Sequence, residues 1–522
     1  MDLVSSSSSE VSKHGILRSI FFVLLLTVLF GIAYTQSPLY TSNQNQYFLH
    51  GFADAGYGYL KNDWLASTTE TTPVFRFLVA ATMQLFQRST IFYFYYAGLM
   101  GIYLFSIIGI VSSVVDIKRH KTIYLLFVAI LLVIHSAAFR FLLSQTIGDN
   151  WKYILEDGLA DQRLLGSVFQ PSSFGVFLLL SIYLFLKGRP GWAVFCAVLA
   201  TTIHPTYLLS AASLVLSFMV LTYKEEGSLR KTLLLGIYAF ILVLPILTFS
   251  YVNFAGTPAE TSRHAQEILV NFRIPHHTKY EWWLDATALV KIAIILLAIH
   301  LIKKSSMYFI LLIPFSIAAL LTMFQIISGS SSLALIFPWR LSTFLVPLST
   351  AIIVAKTLIY ISNRFPTTFE KHKKLIEFLS VLLVAFIVLI GAIRFYLDYN
   401  RKLSAVENEM MAYVAATRTP DDVYFIPKKM QDFRLATGSP VYIEFKSIPY
   451  RDTDVLEWYD RIRNVDRFYK KKDCAAVYKV LQNGDATRVV IPADNSAPTC
   501  DHLFPIYQDD FYRIYKLDED YP

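Results

Sequence analysis

Long apolar segments recur along most of this 522-residue chain and constrain its fold more than any other feature. A helix needs about 20 apolar residues to cross the hydrocarbon core of a bilayer. Hydrophobic residues make up 55% of the chain and charged residues only 16%, which excludes an ordinary soluble domain. The pattern predicts an α-helical polytopic membrane protein with about 11 transmembrane helices. The segments are 16–34, 91–114, 121–142, 171–187, 190–206, 207–223, 232–251, 285–302, 306–326, 334–358 and 375–396.

Two apolar regions have alternative interpretations. Region 190–223 is either one long kinked helix or two helices that meet at His204–Pro205, and we favour two because proline interrupts helical hydrogen bonding. Segment 73–87 is short and contains Arg76, so we predict a helix lying in the membrane interface.

The distribution of basic residues predicts the orientation. With 73–87 outside the membrane core, the short basic loops fall on the side of the N-terminus, as expected for cytoplasmic loops. We therefore predict a cytoplasmic N-terminus (1–15) that leads into a retained signal anchor, a transmembrane domain (16–397), and a C-terminal domain (398–522) outside the cytoplasm. The large outer loops are 35–90, 143–170 and 252–284.

The C-terminal segment has the pattern of a small α/β domain. Strands are expected at 423–427, 441–445 and 488–492, with a closing hairpin over 504–508 and 511–517. Helices are expected at 453–465 and 474–482. Cys474 and Cys500 both lie in this domain, and the sequence leaves a disulfide and two free thiols as alternatives.

The stretch GFADAGYGYLKNDWLA (51–66) places Asp54 and Asp63 in the first outer loop. A carboxylate in such a loop can act as a general base on an acceptor hydroxyl. The alternative is a structural loop whose glycines form turns and whose tyrosines lie at the membrane surface.

Other side chains are candidates for substrate binding. Arg340 lies in an apolar segment near its predicted outer end, where a guanidinium needs a partner and can bind phosphate. Asp149, Asp161 and Arg163 belong to an acidic and aromatic loop suited to sugars. His204 is a further candidate, and each of these residues also has a purely structural interpretation. The pair His276–His277 is a weaker candidate for phosphate or metal.

Together, the inward N-terminus, the acidic first outer loop (FADAGYGY and KNDWLA) and the outer α/β domain resemble the GT-C superfamily of membrane glycosyltransferases. The motifs TPDDVYFIP, DFRLATG and FKSIPYRD also resemble an uncharacterised bacterial multi-span group. The GT-C resemblance implies transfer of a sugar from a polyprenyl-phosphate carrier, with Asp54 or Asp63 as base or metal ligand.

The resemblance implies several partners and a location. The partners are a polyprenyl-phosphate-linked sugar donor, membrane lipid, and a glycan, lipid or protein acceptor. A divalent metal ion is a candidate cofactor. The location is a bacterial inner membrane. Nucleic acid is not an expected partner, because the basic residues cluster between apolar segments. A transporter or flippase for a lipid-linked or small polar substrate is the alternative, and a non-catalytic scaffold is a third.

Overall fold

The computed structural model describes residues 13–494 and 498–518, so most of the predicted cytoplasmic N-terminus lies outside the described residues. Each of the eleven predicted apolar segments is mainly helical, with interruptions inside 121–142 and 334–358. The N-terminal helices are α1 (Lys13–Tyr34), α2 (Gln44–Tyr47), α3 (Leu49–Asp54), α4 (Pro73–Phe86), α5 (Ile91–Val114), α6 (Lys121–Ile134), α7 (Ala137–Thr146), α8 (Val176–Leu186), α9 (Pro190–Ile203) and α10 (Leu208–Glu226). There follow α11 (Leu229–Phe254), α12 (Ala259–Ile268), α13 (Pro275–Thr278), α14 (Tyr280–Trp283), α15 (Ala286–Leu301), α16 (Met307–Ser328), α17 (Ser331–Leu335), α18 (Ser342–Arg364) and α19 (Pro366–Leu403).

Several of these helices are long and apolar enough to cross a membrane. Within the described residues, six meet this criterion, or seven if α6 and α7, which are bent by 59°, form one span. Shorter apolar helices at 19–34, 171–186, 190–203 and 286–301 coincide with other predicted spans. The chain is therefore a mostly helical membrane protein, and the count of about 11 spans stays a prediction.

The chain breaks at His204–Pro205, so the expectation of two helices in this region is confirmed. Helix α9 ends at Ile203, a 3₁₀ turn covers Pro205–Tyr207, and α10 begins at Leu208. His204 is extended, with φ −138° and ψ 97°, because a proline ring disfavours the helical conformation of the residue before it.

The segment predicted to lie in the interface forms helix α4, which packs against α3. Its buried face contains Phe75 and Val79, while Phe77 and Leu85 are exposed. One face therefore packs on the first outer loop and the other presents apolar side chains outward. Its position at the membrane interface stays a prediction.

The C-terminal segment forms an α/β domain. Its elements are α20 (Asn408–Thr417), β1 (Tyr424–Phe425), α21 (Phe433–Thr437), α22 (Asp452–Lys471), α23 (Cys474–Gln482), β2 (Arg488–Pro492), β3 (Leu503–Gln508) and β4 (Tyr512–Leu517). The strand order is β1-β2-β4-β3, with β1 parallel to β2 and the other pairs antiparallel. The predicted hairpin and both predicted helices are confirmed. Cys474 and Cys500 form a disulfide, with their Cα atoms 5.9 Å apart.

The predicted strand at 441–445 is wrong. Val441 makes only an isolated bridge to Tyr424, and its N–H donates to the carboxylate of Asp63 over 2.9 Å. Glu444 then accepts hydrogen bonds from the N–H groups of Lys446 and Ser447, which turns the chain. Side-chain carboxylates thus satisfy backbone donors that a strand partner would otherwise bind.

The C-terminal domain packs directly on two of the predicted outer loops, 35–90 and 252–284. Ala265 and Ile268 of α12 belong to the same buried apolar cluster as Trp458 of α22. The N–H of Tyr59 in the first loop donates to the carbonyl oxygen of Gly438 over 2.8 Å. Helix α19 continues to Leu403, beyond the predicted boundary at 397, and leads into this domain.

Candidate functional site

Asp54 lies at the end of α3 and pairs with Arg76 of α4. Both carboxylate oxygens accept hydrogen bonds from the guanidinium, with Nε–Oδ2 and Nη2–Oδ1 distances of 2.6 Å. The Asp54 side chain is 37% exposed and that of Arg76 is 35% exposed, so solvent or a ligand can reach the pair. A two-point guanidinium–carboxylate contact of this kind is also the geometry by which arginine binds phosphate.

The pair faces a cavity of about 820 Å³. One part of its lining is apolar and includes Phe77, Ala80 and Phe249, while the other part is polar and includes Glu70. The cavity therefore presents a charged pair beside an apolar wall, which suits an amphiphilic ligand with an anionic group.

Asp63, the second candidate base, is in a different environment. Its carboxylate is 1% exposed and pairs with the guanidinium of Arg434 in α21, with Nε 2.7 Å from Oδ2. Arg434 also pairs with the buried Glu444 at 3.2 Å. Asp63 thus links the first outer loop to the C-terminal domain, and its oxygens are occupied by Arg434 and by the N–H groups of Leu65 and Val441.

Arg340 and His204, both predicted to bind substrate, are in contact. The Nη2 atom of Arg340 lies 3.0 Å from Nε2 of His204 and donates to Thr206 over 2.9 Å. Its Nη1 donates to the side chain of Gln162. No carboxylate among the described residues lies within ion-pair distance of Arg340. The half-buried guanidinium therefore keeps an unneutralised charge.

Further positive side chains lie near this region. Arg273 donates to the carbonyl oxygen of Lys446 over 2.5 Å. Burial lowers the pKa of Lys446 to about 8, and the positive charge of Arg273 is the second cause of this lowering. Burial, followed by the neighbouring His276, also holds the pKa of His277 well below its usual value. This region therefore combines positively charged side chains with His277, whose lowered pKa favours its neutral form.

A second cavity, of about 300 Å³, brings together Asp149, Asp161 and Arg163. Asp161 is exposed, whereas Asp157 is buried and its Oδ2 lies 2.5 Å from Nε of Arg163. Burial raises the pKa of Asp157 to about 6. The exposed ring of Trp282 also lines this cavity, so carboxylates and an aromatic face occur together as in sugar sites.

The donor set does not fit a metal held by the protein alone. Among the residues that the structure describes, no three His, Cys, Asp or Glu side chains are close enough to bind one ion. Asp54 has an arginine rather than a second carboxylate as its partner.

Sequence reasoning did not predict Arg76 and Glu70 as parts of the site. In the sequence, Arg76 stands out only as a charge within an apolar segment, and helical spacing alone does not show that it contacts Asp54. Both residues are close in sequence to Pro73, at the start of α4. A positively charged residue in a short apolar helix, next to an acidic loop, is the feature that indicates this contact.

Comparisons with known proteins identify two similar structures. One is ArnT from Cupriavidus metallidurans, bound to undecaprenyl phosphate, which shares 12% sequence identity with this chain at a TM-score of 0.46. The alignment covers 97% of this chain and 98% of the ArnT chain. The archaeal oligosaccharyltransferase AglB from Archaeoglobus fulgidus, in complex with an inhibitory peptide and a dolichol-phosphate, also shares 12% identity and covers 92% of this chain and 70% of its own, with a TM-score of 0.45.

Both of these proteins belong to the GT-C superfamily, to which the sequence shows a resemblance. At this identity and TM-score, they assign no role to any residue of this chain. Residues 405–465 match the model of a domain of unknown function, DUF6798. No curated protein matches the sequence.

Proposed function

We propose that this protein transfers a sugar from a polyprenyl-phosphate carrier to an acceptor on the extracytoplasmic face of a bacterial inner membrane. The observation that carries the proposal is the cavity of about 820 Å³ in which the half-exposed Asp54–Arg76 pair lies beside an apolar wall. A lipid-linked phosphate needs an apolar surface for its chain and a cation for its head group, and this cavity offers both.

In the proposed reaction, the carrier phosphate replaces Asp54 as the partner of Arg76. The guanidinium then binds two phosphate oxygens, and the released Asp54 carboxylate accepts the proton of the acceptor hydroxyl. The acceptor oxygen forms a bond to the anomeric carbon, while the bond from that carbon to the phosphate oxygen breaks. Its electron pair leaves with the lipid phosphate.

The other predicted residues have supporting roles in this proposal. The cavity lined by Asp149, Asp161 and Arg163 is proposed to hold a sugar ring against Trp282. Arg340 is a second candidate for the carrier phosphate, because its partners are all neutral. His204 positions Arg340 through the contact between the two side chains.

The first test of the proposal is the variant Asp54→Asn. We expect the rate of sugar transfer from polyprenyl-phosphate sugars to fall by about 10²- to 10⁴-fold, as for the loss of a general base. The midpoint of thermal unfolding should stay nearly unchanged, because a half-exposed ion pair contributes only about 0–1 kcal/mol. Glu267→Gln is the matched control, since Glu267 pairs with Arg263 on the surface of α12. Full activity of Asp54→Asn would contradict the assignment of the base.

A binding measurement separates the two candidate phosphate sites. Undecaprenyl phosphate at 100 times its dissociation constant should stabilise the folded protein by about 2.7 kcal/mol. The same measurement is made on Arg76→Lys and Arg340→Lys, because lysine keeps the positive charge but cannot make the two-point contact. The variant that loses the stabilisation identifies the phosphate site. Stabilisation that persists in both variants would exclude both arginines. Uptake of a lipid-linked sugar into vesicles without transfer would favour the transporter alternative.

A further inference from the structure

Glu70 and His50 form a buried pair beside Asp54 that the proposed reaction does not yet use. Glu70 is 2% exposed and His50 is 3% exposed, and Glu70 lines the same cavity as Asp54. The Oε1 atom of Glu70 accepts hydrogen bonds from the N–H groups of Thr71 and Thr72 over 2.9 and 3.2 Å. Its Oε2 atom lies 3.4 Å from Nδ1 of His50.

The hydrogen bonds of His50 determine where its own proton lies. Nε2 is 3.1 Å from the carbonyl oxygen of Thr68, and a carbonyl oxygen can only accept, so Nε2 carries the hydrogen. Nδ1 of the neutral ring is then a bare acceptor. It lies 3.4 Å from Oε2 of Glu70, and neither atom has a hydrogen-bond partner among the described residues.

Two bare acceptors facing each other in a buried site repel, because neither supplies a hydrogen and water cannot solvate them. A single additional proton removes the conflict, whether it is bound to Oε2 or to Nδ1. The geometry therefore assigns one proton to the His50–Glu70 pair in the resting protein.

The groups around the pair come from several elements. Arg76 of α4 lowers the pKa of His50, and Asp63 of the first loop raises it. The Glu70 side chain raises the pKa of Tyr47 of α2 and that of Tyr450 in the C-terminal domain. Burial is the largest influence on His50 and lowers its pKa, in spite of the Glu70 carboxylate.

We propose that the His50–Glu70 pair is the general acid of the site, with Glu70 as the group that delivers the proton to the departing phosphate. This inference rests on the proposed function. One proton moves from the acceptor hydroxyl to Asp54, and the proton of the pair moves to the phosphate oxygen that leaves the anomeric carbon. The lipid phosphate departs as a monoanion, the pair becomes negatively charged, and Asp54 becomes neutral, so protons and charge balance.

This arrangement separates two carboxyl groups that line one cavity. The Asp54 side chain is half exposed and paired with a guanidinium, whereas the Glu70 side chain is buried and lies 3.4 Å from an acceptor nitrogen. Environments that differ in this way let two carboxyl groups serve as base and acid in one reaction.

The variant Glu70→Gln tests the catalytic role. Glutamine can donate its amide N–H to Nδ1 of His50, so the fold should persist, but it cannot release a proton. We expect kcat to fall by at least about 100-fold, and the fall of kcat at high pH in the wild type, where the acid is deprotonated, should disappear. Glu70→Asp, which keeps a titrating group, should recover part of the activity and the high-pH limb. A kcat of Glu70→Gln within two-fold of the wild type, with an unchanged pH profile, would overturn the proposal.

A spectroscopic measurement tests the proton independently of activity. The infrared difference spectrum between the wild type and Glu70→Gln should contain the carbonyl band of a buried protonated carboxylic acid, and this band should be shifted in His50→Gln. A wild type that transfers sugar but lacks the band would refute the acid and leave the proposed function standing. A wild type that has the band but transfers no sugar from any polyprenyl-phosphate donor would refute the proposed function and the catalytic role together.

Discussion

Two aspartates that are close in sequence have different environments in the folded chain. Asp54 is half exposed and faces a cavity, whereas Asp63 is fully buried and bound to Arg434. The sequence pattern of residues 51–66 does not distinguish the two aspartates, because each follows a small or polar residue in a predicted loop. Burial and partner, which come from tertiary packing, make Asp54 the candidate base and give Asp63 a structural contact.

The contact of Asp63 should be measurable as a loss of stability. Asp63→Asn leaves the buried guanidinium of Arg434 with Glu444 alone, so we expect destabilisation by about 3 kcal/mol. Thermal unfolding of Asp63→Asn, Arg434→Gln and the double variant gives the coupling between the two residues. We expect the double variant to be more stable than the sum of the single effects predicts. Simple additivity would show that the two side chains do not stabilise each other.

Lys446 should make stability depend on alkaline pH. Burial lowers its pKa in the folded protein to about 8, from 10.5 in a model compound. The unfolded chain therefore binds more protons between these two values, and the free energy of unfolding rises as pH increases from about 8 to 10.5. The unfavourable contribution below pH 8 is between about 1 and 3 kcal/mol, allowing for solvent screening.

The variant Lys446→Met should remove this dependence. Its unfolding midpoint should exceed that of the wild type near pH 7, and the difference should shrink near pH 10. Lys429→Met is the control, because Lys429 is exposed in the same domain. An equal response of the two variants to pH would argue against a buried Lys446 ammonium.

At the scale of elements, close backbone contacts join the first outer loop to the C-terminal domain. Gly58 has φ +56°, and a Cβ atom there would lie 2.2 Å from the carbonyl oxygen of Gly438. The same region provides Asp63, whose carboxylate binds the N–H of Val441 and replaces the predicted strand pairing. The first loop therefore determines the local backbone conformation of the C-terminal domain near Gly438 and Val441.

Gly58 and the nearby Gly56 separate two effects of an added methyl group. Gly56 also has a positive φ of +75°, but nothing lies within 4 Å of its added Cβ. Gly56→Ala should cost about 1 kcal/mol through backbone strain alone. Gly58→Ala should cost more, because the backbone of Gly438 must move as well. Protease accessibility of the C-terminal domain should rise in Gly58→Ala only, and equal behaviour of both variants would deny the close contact.

At the scale of the whole molecule, the orientation in the membrane is the main open prediction. The distribution of basic residues predicts that the C-terminal domain lies outside the cytoplasm and that the basic start of α19 lies inside. The disulfide between Cys474 and Cys500 is compatible with an oxidising compartment.

Cysteine labelling tests this orientation directly. Lys471→Cys and Lys373→Cys place single exposed thiols in the C-terminal domain and near the start of α19. The remaining free cysteine among the described residues, Cys196, is buried. In intact cells, a maleimide that does not cross membranes should label Lys471→Cys and spare Lys373→Cys, and both should react after lysis. The reverse pattern would invert the topology.

The apolar helices, the break at His204–Pro205 and the closing hairpin of the C-terminal domain can be predicted from local sequence alone. These features depend on the length of apolar segments, on the missing N–H of proline and on the alternation of apolar and polar residues. All three are properties of residues that are adjacent in the sequence. The site depended on tertiary structure. Arg76 meets Asp54, Glu70 meets His50, and Asp63 meets Arg434 because separate segments fold against one another. No periodicity encodes which charged side chain a fold will bury and which it will leave facing a cavity.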